Sequence, residues 1–117
     1  MPKENIVKEK SFAFAIEIVV MYKMLVSDKK EFILSKQVLR SGTSIGANVR
    51  EAEQAESKAD FIHKLSIALK EANETGYWLE LLHQTKYLPE CVFQEMFNKL
   101  KELLRLLISI INTSKNK

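Results

Sequence analysis

With a single cysteine, Cys91, the chain cannot close an internal disulfide, which excludes the bridge-stapled scaffolds of small secreted proteins. Glycine and proline are almost as scarce, three and two in 117 residues. A β-sandwich or barrel, with a turn signal at about every ten positions, has too little punctuation to form here. Long uncharged apolar runs are missing too. The stretch 12–26 is broken by Glu17 and Lys23, and 103–111 by Arg105, both short of the roughly 18 uncharged residues of a membrane span. No basic start leads into an apolar stretch and a small-residue cleavage site, so with the lone thiol the expectation is a soluble protein of a reducing cytoplasm, with no membrane partner.

Charge of one sign is also lacking. The net charge is +3, but by segment it is +1 over 1–27, zero over 28–56, zero over 57–88 and +2 over 89–117, two of the last positive charges being Lys115 and Lys117. Polyanion-binding domains gather Lys and Arg on one face, and total charge gives such a role little support. Nor is there a glycine-rich phosphate loop, a serine elbow or a pair of carboxylates on a concave loop, so no enzyme and no cofactor is expected. Asp60 with His63, and Glu80 with His83, have the spacing seen in di-iron bundles, yet both pairs fall on one helix, about 20 residues and so roughly 30 Å apart. They cannot share a metal, and no second helix offers such a pair. Cys91 opens a helix, where a thiol is acidified, but nothing else in the chain makes it a nucleophile.

What is present is helix-forming: 46% hydrophobic and 28% charged residues, with apolar positions recurring every three to four. Four helices are expected, at about 5–26, 30–55, 58–85 and 89–112. In the first, Phe14, Ile18, Met21 and Leu25 form one seam, while Ile16, Val20 and Met24 line the far side. A helix apolar nearly all round is buried on more than one face, so these three are candidates for contact with another subunit. Residues 27–30 form a polar break with an expected N-cap for the second helix.

That helix turns Leu34, Val38, Leu39, Ile45, Val49 and Ala52 inward, and carries Gly42 and Gly46 on the same face. Each glycine costs about 1 kcal/mol relative to alanine, which the close approach of a neighbouring helix would offset. The competing reading breaks the helix into a loop at 41–44. On its outward side Lys36, Arg40 and Arg50 are candidate phosphate contacts for RNA or DNA, set against the ordinary reading of a solvated face with intrahelical charge pairs.

The third helix opens at Ser57 with Asp60 three residues on, the reciprocal pairing of a capping box. Opposite its inward stripe stand Ile67, Trp78 and Leu81, a second candidate strip for a partner surface. Pro89 fits the first position of the fourth helix, where its missing amide hydrogen would be unpaired anyway; Phe93, Met96, Leu100, Leu103, Leu107 and Ile110 then alternate in threes and fours. Short connections make successive helices antiparallel. The fold class is therefore all-α: one domain, an up-down-up-down four-helix bundle.

Several runs carry a resemblance: the Arg40-Ser41 pair, the stretch Ser44, Ile45, Gly46, Ala47 and Asn48, then Glu51-Ala52, Ser57, Asp60-Phe61-Ile62, Leu65, Ile67-Ala68, and Glu74 ahead of Trp78-Leu79. In these the chain resembles the bacterial four-helix bundle proteins related to those encoded by intervening sequences in large-subunit ribosomal RNA genes. The likeness covers nearly the whole chain; it departs at Ala52, where many relatives have a glycine after the glutamate. The resemblance implies a left-handed up-down bundle assembled as a ring-like homopentamer, with no established biochemical activity for most members. The chain is also similar in fold to the accessory proteins of diversity-generating retroelements, basic pentamers that bind nucleic acid and a reverse transcriptase. Three partner classes follow as expectations: other copies of the chain, RNA or DNA, and a further protein.

Overall fold

The architecture follows from helices that cannot bury their apolar stripes alone. A computed structural model describes residues 2–116 and contains α1 (Lys3–Ser27), α2 (Leu34–Glu53), α3 (Lys58–Gln84) and α4 (Glu90–Lys115), with no strand among the described residues. The backbone of each helix lies close to those of its two neighbours around the bundle and farther from the one diagonally across, in a rod of 47 × 22 × 21 Å. Up-down-up-down order follows, with α1 and α4, the first and last helices, closing the square. One continuous core fills the centre: Phe14, Ile18 and Leu25 meet Val38 and Ile45, Leu65, Leu79 and Leu82, and Leu100, Leu103 and Leu107, all essentially inaccessible to water. At about 25 cal/mol per Å² of apolar surface removed from water, these side chains are the main stabilising term.

The helix starts differ in their chemistry. Ser57 accepts the amide of Asp60 at 3.0 Å, as the sequence predicts, while the Asp60 carboxylate reaches one residue further back, to the amide of Glu56 at 3.2 Å. The start of the second helix is corrected: α2 begins at Leu34, not near Lys30, and residues 27–30 do not cap it. Asp28 instead ends α1, with its amide on the Met24 carbonyl, and Lys30 takes a left-handed backbone (φ 54°) that turns the chain out of the helix. The cap is Glu31, folded under the turn so that its carboxylate accepts the amides of Ile33, Leu34 and Ser35 at 3.3, 3.1 and 2.6 Å. Burial opposes its charge, but the three amides outweigh burial and hold the carboxyl below its ordinary value. At the same end of the rod Lys86 makes the second left-handed turn (φ 69°), between α3 and α4. It closes a paired C-terminal motif: the Lys86 amide bonds the His83 carbonyl and the Tyr87 amide bonds the Leu82 carbonyl.

α2 runs unbroken through 41–44. Its two glycines meet α1: a Cβ on Gly42 would stand 2.8 Å from Ile18 side-chain carbons, and one on Gly46 would stand 3.3 Å from the Ser11 carbonyl oxygen. Close approach of the α1 backbone is thus what offsets the cost of glycine at Gly46, whereas at Gly42 it is the Ile18 side chain that fills the space. On the other flank of α2, Ser41 and Thr75 join across the α2/α3 contact through a fully buried hydroxyl pair at 3.0 Å.

A candidate assembly surface

The candidate residues on α1 fall where an outward face would be. Ile16 and Val20 are 52% and 62% exposed, Phe12 one turn earlier is 50% exposed, and Met24 one turn later is half-buried. At four-residue spacing this row precesses slowly around the helix. It starts on the α2 side, where Phe12 lies under the Arg50 guanidinium at 4.7 Å, and ends on the α4 side.

The α1/α4 seam, the sparsest of the four contacts between neighbours, has an ordered exterior. Every seventh residue of α1 returns to it. Lys3 donates to the Ser109 hydroxyl at 2.6 Å, Lys10 pairs with Glu102 at 3.2 Å, and Glu17 accepts from Lys99 at 2.6 Å. The next position in this series is Met24, and there the polar ladder stops. Val20, Met21, Met24, Val92 and Met96 line an apolar groove of about 310 Å³ instead, with Glu17 and Glu95 at its rim. Both carboxylates share one cation, Lys99, so the rim keeps one negative charge unpaired. The sequence signal for the groove was the change from Lys3, Lys10 and Glu17 to Met24 at constant spacing, which a search for apolar stripes alone passes over.

Ile67, Trp78 and Leu81 are half-buried. Trp78 packs against the core and donates its indole N–H to Glu74 at 3.0 Å, with the Tyr77 ring edge-on to it at 4.9 Å. Glu74 also binds Arg40, whose other guanidinium nitrogen reaches Glu71 at 3.1 Å. The indole first, then the guanidinium, hold the Glu74 carboxyl below its ordinary value. The strip therefore borders α2, on the bundle face opposite the α1/α4 seam.

The three candidate phosphate contacts do not form one free basic stripe. Arg40 is held by two carboxylates and Arg50 lies over Phe12, while Lys36 makes no ion pair among the described residues. The surface feature that sequence reading missed is the turn before α2, where Phe32 and Ile33 are 51% and 74% exposed. They form no helical stripe, so periodicity gave no signal for them.

Of the two histidine pairs, His83 and Asp60 have local partners. His83 contacts Glu90 at 2.5 Å and stacks on Phe93, while the Asp60 carboxylate takes the Glu56 amide. No three metal-ligating side chains converge among the described residues, and no described helix is long and apolar enough to cross a membrane. Cys91 is exposed in the first turn of α4.

Comparison with known proteins gives a consistent result. The model of the 23S rRNA-intervening sequence protein family matches residues 3–109. A solved structure from Bacteroides thetaiotaomicron, described as a protein with unknown function from the S23 ribosomal protein family, is 61% identical. It superposes with a TM-score of 0.94, over 95% of this chain and 99% of that one. No curated protein matches the chain.

Proposed function

Because the chain belongs to the 23S rRNA-intervening sequence protein family, we propose that it works without catalysis, as an assembly module whose immediate partner is another copy of itself. The observation that carries this is the α1 row. Phe12, Ile16 and Val20, each at least half exposed, run across one helix face and lead into the apolar groove beside Met24. Monomers seldom leave such a continuous patch wet, because covering it removes apolar area from water. The resemblance of the chain to ring-forming bundles favours a closed homopentamer over an open chain of subunits, and five copies would offer a repeated surface to a further protein.

A nucleic-acid role would have to recruit Arg40 away from Glu71 and Glu74, and so has weaker support. The test is the mass in solution at micromolar concentration. The wild type should sediment as an oligomer, and Ile16→Asp or Val20→Asp should sediment as a folded monomer, since a charge on an exposed position costs the monomer little but cannot be buried unpaired between subunits. A monomeric wild type refutes the reading. A mobility shift on RNA that weakens steeply with salt would replace it with the nucleic-acid one.

A further inference from the structure

We propose that subunits join head to tail, with Ile33 and Phe32 of one copy seated in the α1/α4 groove of the next; this rests on the assembly reading and specifies its contact. Three observations converge on this pairing.

The first is shape and rigidity. Ile33 is the most exposed large apolar side chain among the described residues, and it is not on a loose loop. Its own amide, with those of Leu34 and Ser35, is fastened to the buried Glu31 carboxylate, and the Glu31 amide is fastened to the Leu25 carbonyl. A rigid apolar knob loses little freedom on docking. The groove of about 310 Å³ has room for an aliphatic side chain with an aromatic one beside it, and its methionines adapt to irregular shapes.

The second is charge. Lys29, Lys30 and Lys36 bracket the knob in sequence, and none makes an ion pair among the described residues. The groove rim carries Glu17 and Glu95 against Lys99 alone. A lysine-flanked knob therefore complements an acidic-rimmed hole, and the same pairing sets lysines against one another if two knobs meet.

The third is position. Ile33 precedes Arg40 by seven residues, which places it on the side of α2 that faces α3, above the Arg40–Glu74 pair. Trp78 and Leu81 follow Glu74 by one and two turns toward the same end. Knob and strip thus lie on the α2/α3 face, and the groove on the α1/α4 face opposite. Along the rod the groove sits at the last two turns of α1 and the first two of α4, the same end as the knob. In a cyclic assembly with its axis along the rods, subunits meet at equal heights, so each knob arrives level with its neighbour's groove. Faces that differ and lie on different sides of one molecule join heterologously, and they close into a ring where the rotation between successive subunits closes.

Complementation tests the contact. Ile33→Asp removes the knob and Val20→Asp spoils the groove; both positions are exposed, and unchanged circular dichroism with a cooperative thermal transition verifies folding. Each variant alone should be monomeric at concentrations where the wild type is fully assembled. Mixed in equal amounts and concentrated, they should form a dimer that stops at two, because one partner keeps a knob and the other a groove, and 0.5 M salt should weaken it. If Ile33→Asp retains the wild-type mass while Val20→Asp loses it, the knob is wrong and the assembly reading stands. Monomers that stay apart when mixed indicate a self-complementary contact and overturn the head-to-tail arrangement. A monomeric wild type removes both.

Discussion

Ile18 occupies the space that a side chain at Gly42 would need: three of its carbons lie within 2.8–3.0 Å of where that Cβ would stand. Gly42→Ala therefore sets a helix-propensity gain of about 1 kcal/mol against overpacking of about 1–3 kcal/mol, and should destabilise by up to about 2 kcal/mol in urea unfolding. Ile18→Val removes one of the crowding methyls. The double variant should be more stable than the sum of the two single effects, a coupling readable in a double-mutant cycle.

Ser41 and Thr75 make a buried hydroxyl pair between α2 and α3, where the Thr75 hydroxyl also reaches the Glu71 carbonyl at 2.8 Å. Thr75→Val keeps the shape but strands the Ser41 oxygen, and should cost about 1–2 kcal/mol. Adding Ser41→Ala should recover part of that loss. A double variant as unstable as the summed singles would show that the two hydroxyls do not depend on each other.

Glu31 is a carboxylate whose folded-state pKa lies below its unfolded one. Its stabilisation is complete above the unfolded value and fades as pH falls through the folded value, so wild-type stability should decline on acidification below about pH 4.5. Glu31→Ala should cost about 1–2 kcal/mol at neutral pH by freeing the amides of Ile33, Leu34 and Ser35 at the start of α2, and should flatten that acid limb. Denaturant midpoints at pH 7 and pH 3 measure both effects.

Arg40 joins Glu71 and Glu74 at the surface, with its side chain half exposed. Arg40→Gln should change stability by less than about 1 kcal/mol, because exposed pairs contribute little. It should nonetheless shift the Trp78 fluorescence, since Glu74, which accepts the indole N–H, then loses its guanidinium partner. A larger loss would mean that this network holds α2 to α3.

The four helices and their inner faces were legible because one physical signal, apolar recurrence at three and four residues, fixes both. Phe14, Ile18, Val38, Leu65 and Leu103 are buried where that recurrence puts them. The α1/α2 approach at Gly42 and Gly46 was legible for another reason: a residue costly inside a helix asks for a neighbour. The cap of α2 was not, since Ser, Asp, Asn and Thr are the usual caps and Glu31 acts through a turn that needs Lys30 in the left-handed region. Ile33 and Phe32 escaped notice because a pair of apolar residues in a turn has no period. Ile67, Trp78 and Leu81 look solvent-facing on a helical wheel, yet a large ring at the edge of a stripe can fold back on the neighbouring helix, as Trp78 does beside Arg40.

The ladder of Lys3, Lys10 and Glu17 along α4 bears on how the rod comes apart. The chain's two terminal helices meet through the fewest contacts, and the polar rungs on that side are open to water and to salt. The α2/α3 hairpin, tied by buried hydroxyls and short in sequence separation, should outlast it. In native-state hydrogen exchange the amides of α4 should therefore open first, and earlier still in concentrated salt, while those around Ser41 and Thr75 exchange only when the whole molecule unfolds.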